Sequence, residues 1–183
     1  MTLNDILQAI AVHIKTQITA LQACETHGGR FDINELMRVS ARSPGLFLSV
    51  VKIDDIKRQH GTWQAAVTIG AFTIARDTPG ADRSVLGLAL VQALAQVLPE
   101  NTWAIDEAIT TPQSINAQNL YSGGLDKKGV SLWGTTWRQT FELGEAVDVS
   151  TLDDFLKCNI NYDPASDDEG RPGTEDNVSL QED

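Results

Sequence analysis

Only two cysteines, Cys24 and Cys158, occur in the 183 residues. They lie far apart, and neither has a Cys or His neighbour at metal-ligand spacing. A disulfide scaffold is therefore excluded, and two free thiols in a reducing compartment are expected. Histidine is nearly as scarce: His13, His27 and His60 have no partner at catalytic or metal-ligand spacing and read as ordinary surface or helix-end residues. Basic residues are few, 14 Lys plus Arg against 25 Asp plus Glu, for a formal charge of −11. A free DNA binder normally carries a basic stripe, so this balance argues against one. No stretch approaches the ~20 apolar residues of a membrane span, and no basic n-region with an apolar run opens the chain. A soluble protein made in the cytoplasm, with no membrane partner, is the expectation.

What the sequence does contain is a core. Hydrophobic residues make up 42% of it, enough for one domain of ordinary size and too many for a wholly disordered chain. The charge is unevenly placed. Residues 145–183 hold 12 acidic residues against Lys157 and Arg171, whereas residues 1–144 hold 13 acidic and 12 basic ones. The predicted organisation is a nearly neutral body, 1–144, and an extended acidic C-terminal arm, 145–183. Pro164, Pro172 and the acidic content leave the arm unable to bury a core by itself.

Periodicity supplies the elements. Leu3, Ile6, Ile10, Ile14, Ile18 and Leu21 recur at three and four, predicting one amphipathic helix capped at Thr2 or Asn4 and closed by Gly28-Gly29. A shorter helix follows, with Asp32 and Glu35 in capping-box relation, and Pro44 ends it by Ser43. Leu46 to Ile53 is apolar on both faces, as in an inner strand. Thr62 to Ala75 is a second strand whose apolar parity changes near Gly70, predicting a bulge there; at ~3.3 Å per residue it spans ~45 Å, long enough to overhang. Val85 to Leu98 forms a wide apolar helix capped at Asp82 or Ser84 and closed by Pro99. Short strands are expected at Trp103 to Ile105 and at Gln113 to Tyr121. The last strand, Val130 to Leu143, puts Trp133, Trp137 and Phe141 on one face. The predicted fold class is α+β: a mainly antiparallel four- to five-stranded sheet packed by helices on one face.

Residues that could carry chemistry are few. Asp77 to Arg83 joins a strand to a helix, where phosphate loops also lie, but it has one glycine and no Gly-Lys-Ser/Thr ending. The pairs Asp54-Asp55 and Asp106-Glu107 point to opposite faces if extended, so neither is an acid/base couple. No catalytic, cofactor-binding or metal-binding residue is assigned. Lys127 and Lys128, in a glycine-flanked hairpin tip, are candidates for contact with a subunit or partner. Leu152, Phe155 and Leu156, the last apolar cluster, are candidates for anchoring the arm to a neighbour.

The chain resembles the tail terminator proteins of Mu-like bacteriophages, themselves distantly similar to the lambda tail terminator. The resemblance lies in order and texture: the opening helix, the passage Phe31 to Val50, the strand ending Phe72-Thr-Ile-Ala-Arg-Asp77, the helix with Leu94 to Leu98, the strand from Trp133 to Phe141, and Leu152-Asp-Asp-Phe155 before an acidic extension. It implies a structural protein and not an enzyme, a homohexameric ring with no cofactor. Such a ring would cap the head-proximal end of the tail tube, stop its polymerisation and present a surface to the neck of the head. The implied partners are further copies of itself, the tail tube protein and a head-neck connector or stopper protein, with DNA passing through the lumen unread. The implied location is the head-tail junction of the virion, after assembly in the host cytoplasm. Three rivals remain: another head-tail joining protein, an acidic DNA mimic that inhibits a host enzyme, and an α+β enzyme without a known motif.

Overall fold

The computed structural model describes residues 1–29, 33–120, 125 and 127–144, together with two strands near the C-terminus. The chain divides into two compact units, Met1–Glu145 and Ala146–Asp183. The first contains helices α1 (Leu3–Gln17), α2 (Ile33–Ser40) and α3 (Arg83–Val97). Its strands are β1 (Ala23–Thr26), β2 (Gly45–Gln59), β3 (Thr62–Arg76), β4 (Gln113–Asn119) and β5 (Val130–Leu143). They form one sheet in the order β1-β2-β3-β5-β4. In the second unit, β6 (Lys157–Asn161) pairs antiparallel with β7 (Glu175–Ser179), a pairing the sequence reading did not anticipate.

The fold is α+β, and its sheet is mixed. Three junctions are antiparallel, but β1 lies parallel to β2 along Gly45–Leu48. A parallel neighbour needs a crossover, and α2 supplies it. This revises the expected placement of the helices on one face. Register pairs Leu48 with Ala71, Ile69 with Trp137 and Ala65 with Phe141, on the face that meets α1 and α3 through Ile6, Ile10, Ile14, Leu90, Leu94 and Leu98. Phe47 lies opposite Phe72, and Ile74 opposite Leu132, on the other face, where Leu36 and Val39 of α2 pack. The parity change along β3 therefore marks two covered faces. Each wholly buried side chain such as Ile10 or Leu94 contributes roughly 1.5–3 kcal/mol relative to exposure.

Local chemistry explains most of the boundaries. Thr2 caps α1 in a capping box: its Oγ1 accepts from the Asp5 amide at 3.2 Å, and Asp5 Oδ2 accepts from the Thr2 amide at 2.9 Å. The helix stops at Gln17 rather than running to Gly28. Ile18 leaves helical geometry, and Lys15 Nζ donates to the Leu21 carbonyl, after which β1 is held by β2. The strand expected at Trp103–Ile105 is instead a turn, with Trp103 at φ 62° and Ala104 at φ 56°. The bulge expected in β3 lies in β2, between Val50 and Lys52. Gly70 faces it, and a Cβ there would come within 2.8 Å of Val51 Cγ2. A two-residue turn joins β2 to β3, with His60 at φ 52° and Gly61 at φ 89°. Both residues are left-handed, as the tight hairpin turn matching strand twist requires.

Candidate functional site

The most unusual surface of the body is the far half of the β2–β3 hairpin. β1 pairs only as far as Leu48, so from Ser49 onward the outer edge of β2 has no strand beside it among the described residues. Exposed strand edges are templates for pairing with another chain. The same segment exposes Val51, Ile53, Ile56 (59%) and Trp63 (53%). Ile53 lies opposite Val67, and Trp63 shares its parity with Ala65 and Val67, so both continue the sheet face that α1 and α3 cover nearer the core. Here that face has run beyond its helices. The expected overhang thus falls on β2, because β3 is accompanied by β5 over its whole length up to Trp63.

A second bulge, between Asp54 and Lys57, includes Asp55 at φ 51°. Asp tolerates the left-handed region better than most residues. Its carboxylate pairs with Arg138 of β5, and Lys52 Nζ meets Asp54 Oδ1 at 2.7 Å. From Ile56 to Trp63 the chain carries Lys57 and Arg58 and no acid, and Arg58 lies directly opposite Trp63.

The other unusual surface is the outside of α3. A surface helix ordinarily turns a charged face to water. From Ser84 to Val97, α3 has no charged residue at all. Its inner side buries Leu90, Val91 and Leu94, while Val85 (64%), Leu88 (53%), Ala89 and Gln92 look outward. Gly87 seats the helix closely on β5, since a Cβ there would lie 2.8 Å from Ser131 Oγ and 3.3 Å from the Trp133 ring. The last turn carries no basic residue, and Glu100 follows it. Asp82 caps the first turn, its Oδ1 accepting from the Ser84 amide at 2.7 Å. Asp77 accepts from the Arg83 amide at 2.9 Å and from Arg83 Nη1 at 2.6 Å, so the chain places its own carboxylate where an anion would sit. These bonds hold the Asp77 carboxyl below its usual range, the backbone one first.

Lys127 and Lys128 are exposed in the turn before β5. Val130 pairs with Arg76, so they stand at the end of the sheet away from the hairpin turn and are not brought together with it. Leu152, Phe155 and Leu156 lie outside the described residues. The histidines occupy three separate places. His13 Nε2 is 3.0 Å from Asn101 Nδ2 and stacks edge-on with Trp103. His60 forms the hairpin turn.

His27 does what sequence spacing had not suggested. Its Nδ1 accepts from the Gly29 amide at 3.0 Å, leaving Nε2 as the donor to Glu35 Oε1 at 2.8 Å. Glu35 is also gripped by Arg38, at 2.5 and 2.7 Å. These partners, Arg38 first and His27 second, pull its carboxyl down to about 2. Both ring nitrogens are thus engaged, Nδ1 within the loop after β1 and Nε2 in tying that loop to the crossover helix. Burial pushes the Cys24 thiol up to about 12, against the field of Lys15, which makes it a poor nucleophile. Among the described residues, no group of three His, Cys, Asp or Glu side chains converges as a metal site would. No helix among them is long and apolar enough to cross a membrane. The cleft between Asp55, Arg138 and Thr140 holds about 110 Å³ and is lined by the Asp55–Arg138 pair.

No protein-family model matches the chain, and no curated protein matches it.

Proposed function

We propose that this protein is a structural, ring-forming component of a bacteriophage tail: a terminator that caps the head-proximal end of the tail tube. The observation that carries the reading is that one protomer exposes two chemically distinct apolar surfaces, the far half of the β2–β3 hairpin and the outside of α3. A closed ring needs two different complementary patches on each copy, and growth ends when the rotation closes. The resemblance in element order to tail terminators supplies the kind of ring, a homohexamer, and its role. The nearly neutral body, with 13 acidic and 12 basic residues in 1–144, suits a lumen through which DNA passes unread. The partners in this reading are the tail tube protein on one side and a head-neck connector or stopper protein on the other, at the head-tail junction of a virion assembled in the host cytoplasm.

The acidic arm has a part as well. Laid on the next subunit through Leu152, Phe155 and Leu156, it would raise the effective concentration of each junction. The decisive experiment is a deletion of the gene in its phage, with tails imaged from the lysate. Overlong tails, restored to uniform length by the full chain, are the expected result. Tails of normal length that fail to join heads would replace the terminator reading with that of a joining protein. A host DNA-binding enzyme captured from extract in stoichiometric amount would replace it with DNA mimicry.

A further inference from the structure

We infer that the outer face of α3 in one copy covers the bare sheet face at the far half of the β2–β3 hairpin in the next, making a head-to-tail junction between copies of this chain. The inference rests on the ring reading and names the surfaces that build the ring.

The first ground is continuity. The sheet face bearing Val67, Ile69 and Trp137 is covered by helices, whereas its extension at Ile53 and Trp63 is bare. A helix laid on a sheet is the packing this face already uses, and it is how such layers bury their apolar sides. The second ground is the helix. Val85, Leu88, Ala89 and Gln92 offer an uncharged ridge on an element whose inner side is already spent on β3 and β5. Val85, Ala89 and Gln92 are exposed, and Leu88, more than half exposed, borders a cleft with Ser131 and Trp133 of its own β5, so the ridge is left uncovered by its own copy and open to a second one.

The third ground is charge. The hairpin end carries Arg58 opposite Trp63 and no acid from Ile56 to Trp63. The C-terminal end of α3 has a negative dipole end, no basic residue in its last turn, and Glu100 just beyond. A helix laid with that end toward Arg58 satisfies both. The two patches differ, so the contact is heterologous and propagates from copy to copy until it closes.

The test uses the full chain in four forms: wild type, Leu88→Glu on the helix, and Trp63→Glu and Ile56→Glu on the hairpin. All three positions are more than half exposed, so wild-type circular dichroism and melting serve as the check on folding. Masses are measured by sedimentation velocity and native mass spectrometry. Wild type is expected as a closed oligomer. Each variant alone is expected as a monomer, since a carboxylate in an apolar junction weakens it by about 100-fold or more. Mixed in equal amounts, Leu88→Glu and Trp63→Glu retain one intact junction between them and should form a heterodimer and nothing larger.

A wild-type oligomer that survives both substitutions overturns the proposed junction and leaves the ring reading standing. So does a hairpin variant that dissociates while Leu88→Glu stays assembled, because another surface, such as the acidic arm, would then cover the hairpin. Two monomeric variants that fail to pair with each other also overturn it. Wild type that remains monomeric alone and on purified tail tubes sinks the ring reading itself.

Discussion

Replacing Gln139 by Leu tests the network that fastens residues 99–112 to β5. Gln139 is buried to 1% exposure. Its Oε1 accepts from Trp103 Nε1 at 2.8 Å, and its Nε2 donates to the Thr110 carbonyl at 2.7 Å. Asn101 Oδ1 holds the Trp103 amide at 2.7 Å, and Thr110 Oγ1 accepts from the Thr140 amide at 2.9 Å, so a single turn hangs on a few bonds. Leucine would leave the indole N–H unpaired in a buried site and the Thr110 carbonyl unpaired at the half-buried edge of the cleft. Each orphan costs about 1–3 kcal/mol, and the added apolar burial returns about 1, for a net loss of about 3 kcal/mol. In a chain of this size that lowers the melting temperature by about 6–12 °C. Urea unfolding followed by far-ultraviolet circular dichroism measures it. The double variant with Trp103→Phe, which removes the indole N–H, should lose less than the two single losses added together. A loss below about 1 kcal/mol, or strict additivity, would refute the reasoning.

Glu35 gives a pH prediction of definite sign. Its folded carboxyl lies at about 2, below the ~4.3 of an unfolded Glu, so its contribution is complete above ~4.3 and is lost as pH falls toward the folded value. Glu35→Gln should flatten that part of the stability curve between roughly pH 4.5 and 2; an unchanged slope contradicts the pairing. Thr135 Oγ1 is buried with no hydrogen-bond partner, so Thr135→Val should be neutral or stabilising by up to about 1 kcal/mol in urea unfolding. A clear destabilisation would show that the hydroxyl is satisfied. Cys24, with its thiol at about 12, should be alkylated at pH 8 about 10³-fold more slowly in the native protein than in urea. Peptide mapping reads this site by site, and comparable rates would disprove the burial.

The sequence by itself determined β3, α3 and β5, because their signals are local. The spacing from Val85 to Leu98, with Asp82 before it and Pro99 after it, suffices for a helix; alternation through Trp133, Trp137 and Phe141 suffices for a strand. The short helix before Pro44 and the strand from Gln113 are legible in the same way, whereas tertiary structure decided where the remaining elements end and what they pack against. Leu21 fits the helical stripe of α1 yet lies beyond it, because β2 recruits the following residues as a parallel strand. Trp103 looks like a strand residue but sits in a left-handed turn, held by Gln139 thirty-six positions away. The candidate surface was hidden for the same reason. Parity shows that Trp63 and Val67 share a face, but whether anything covers that face depends on where α1 and α3 end in space. Period is a property of neighbours along the chain, whereas burial is a property of neighbours across it.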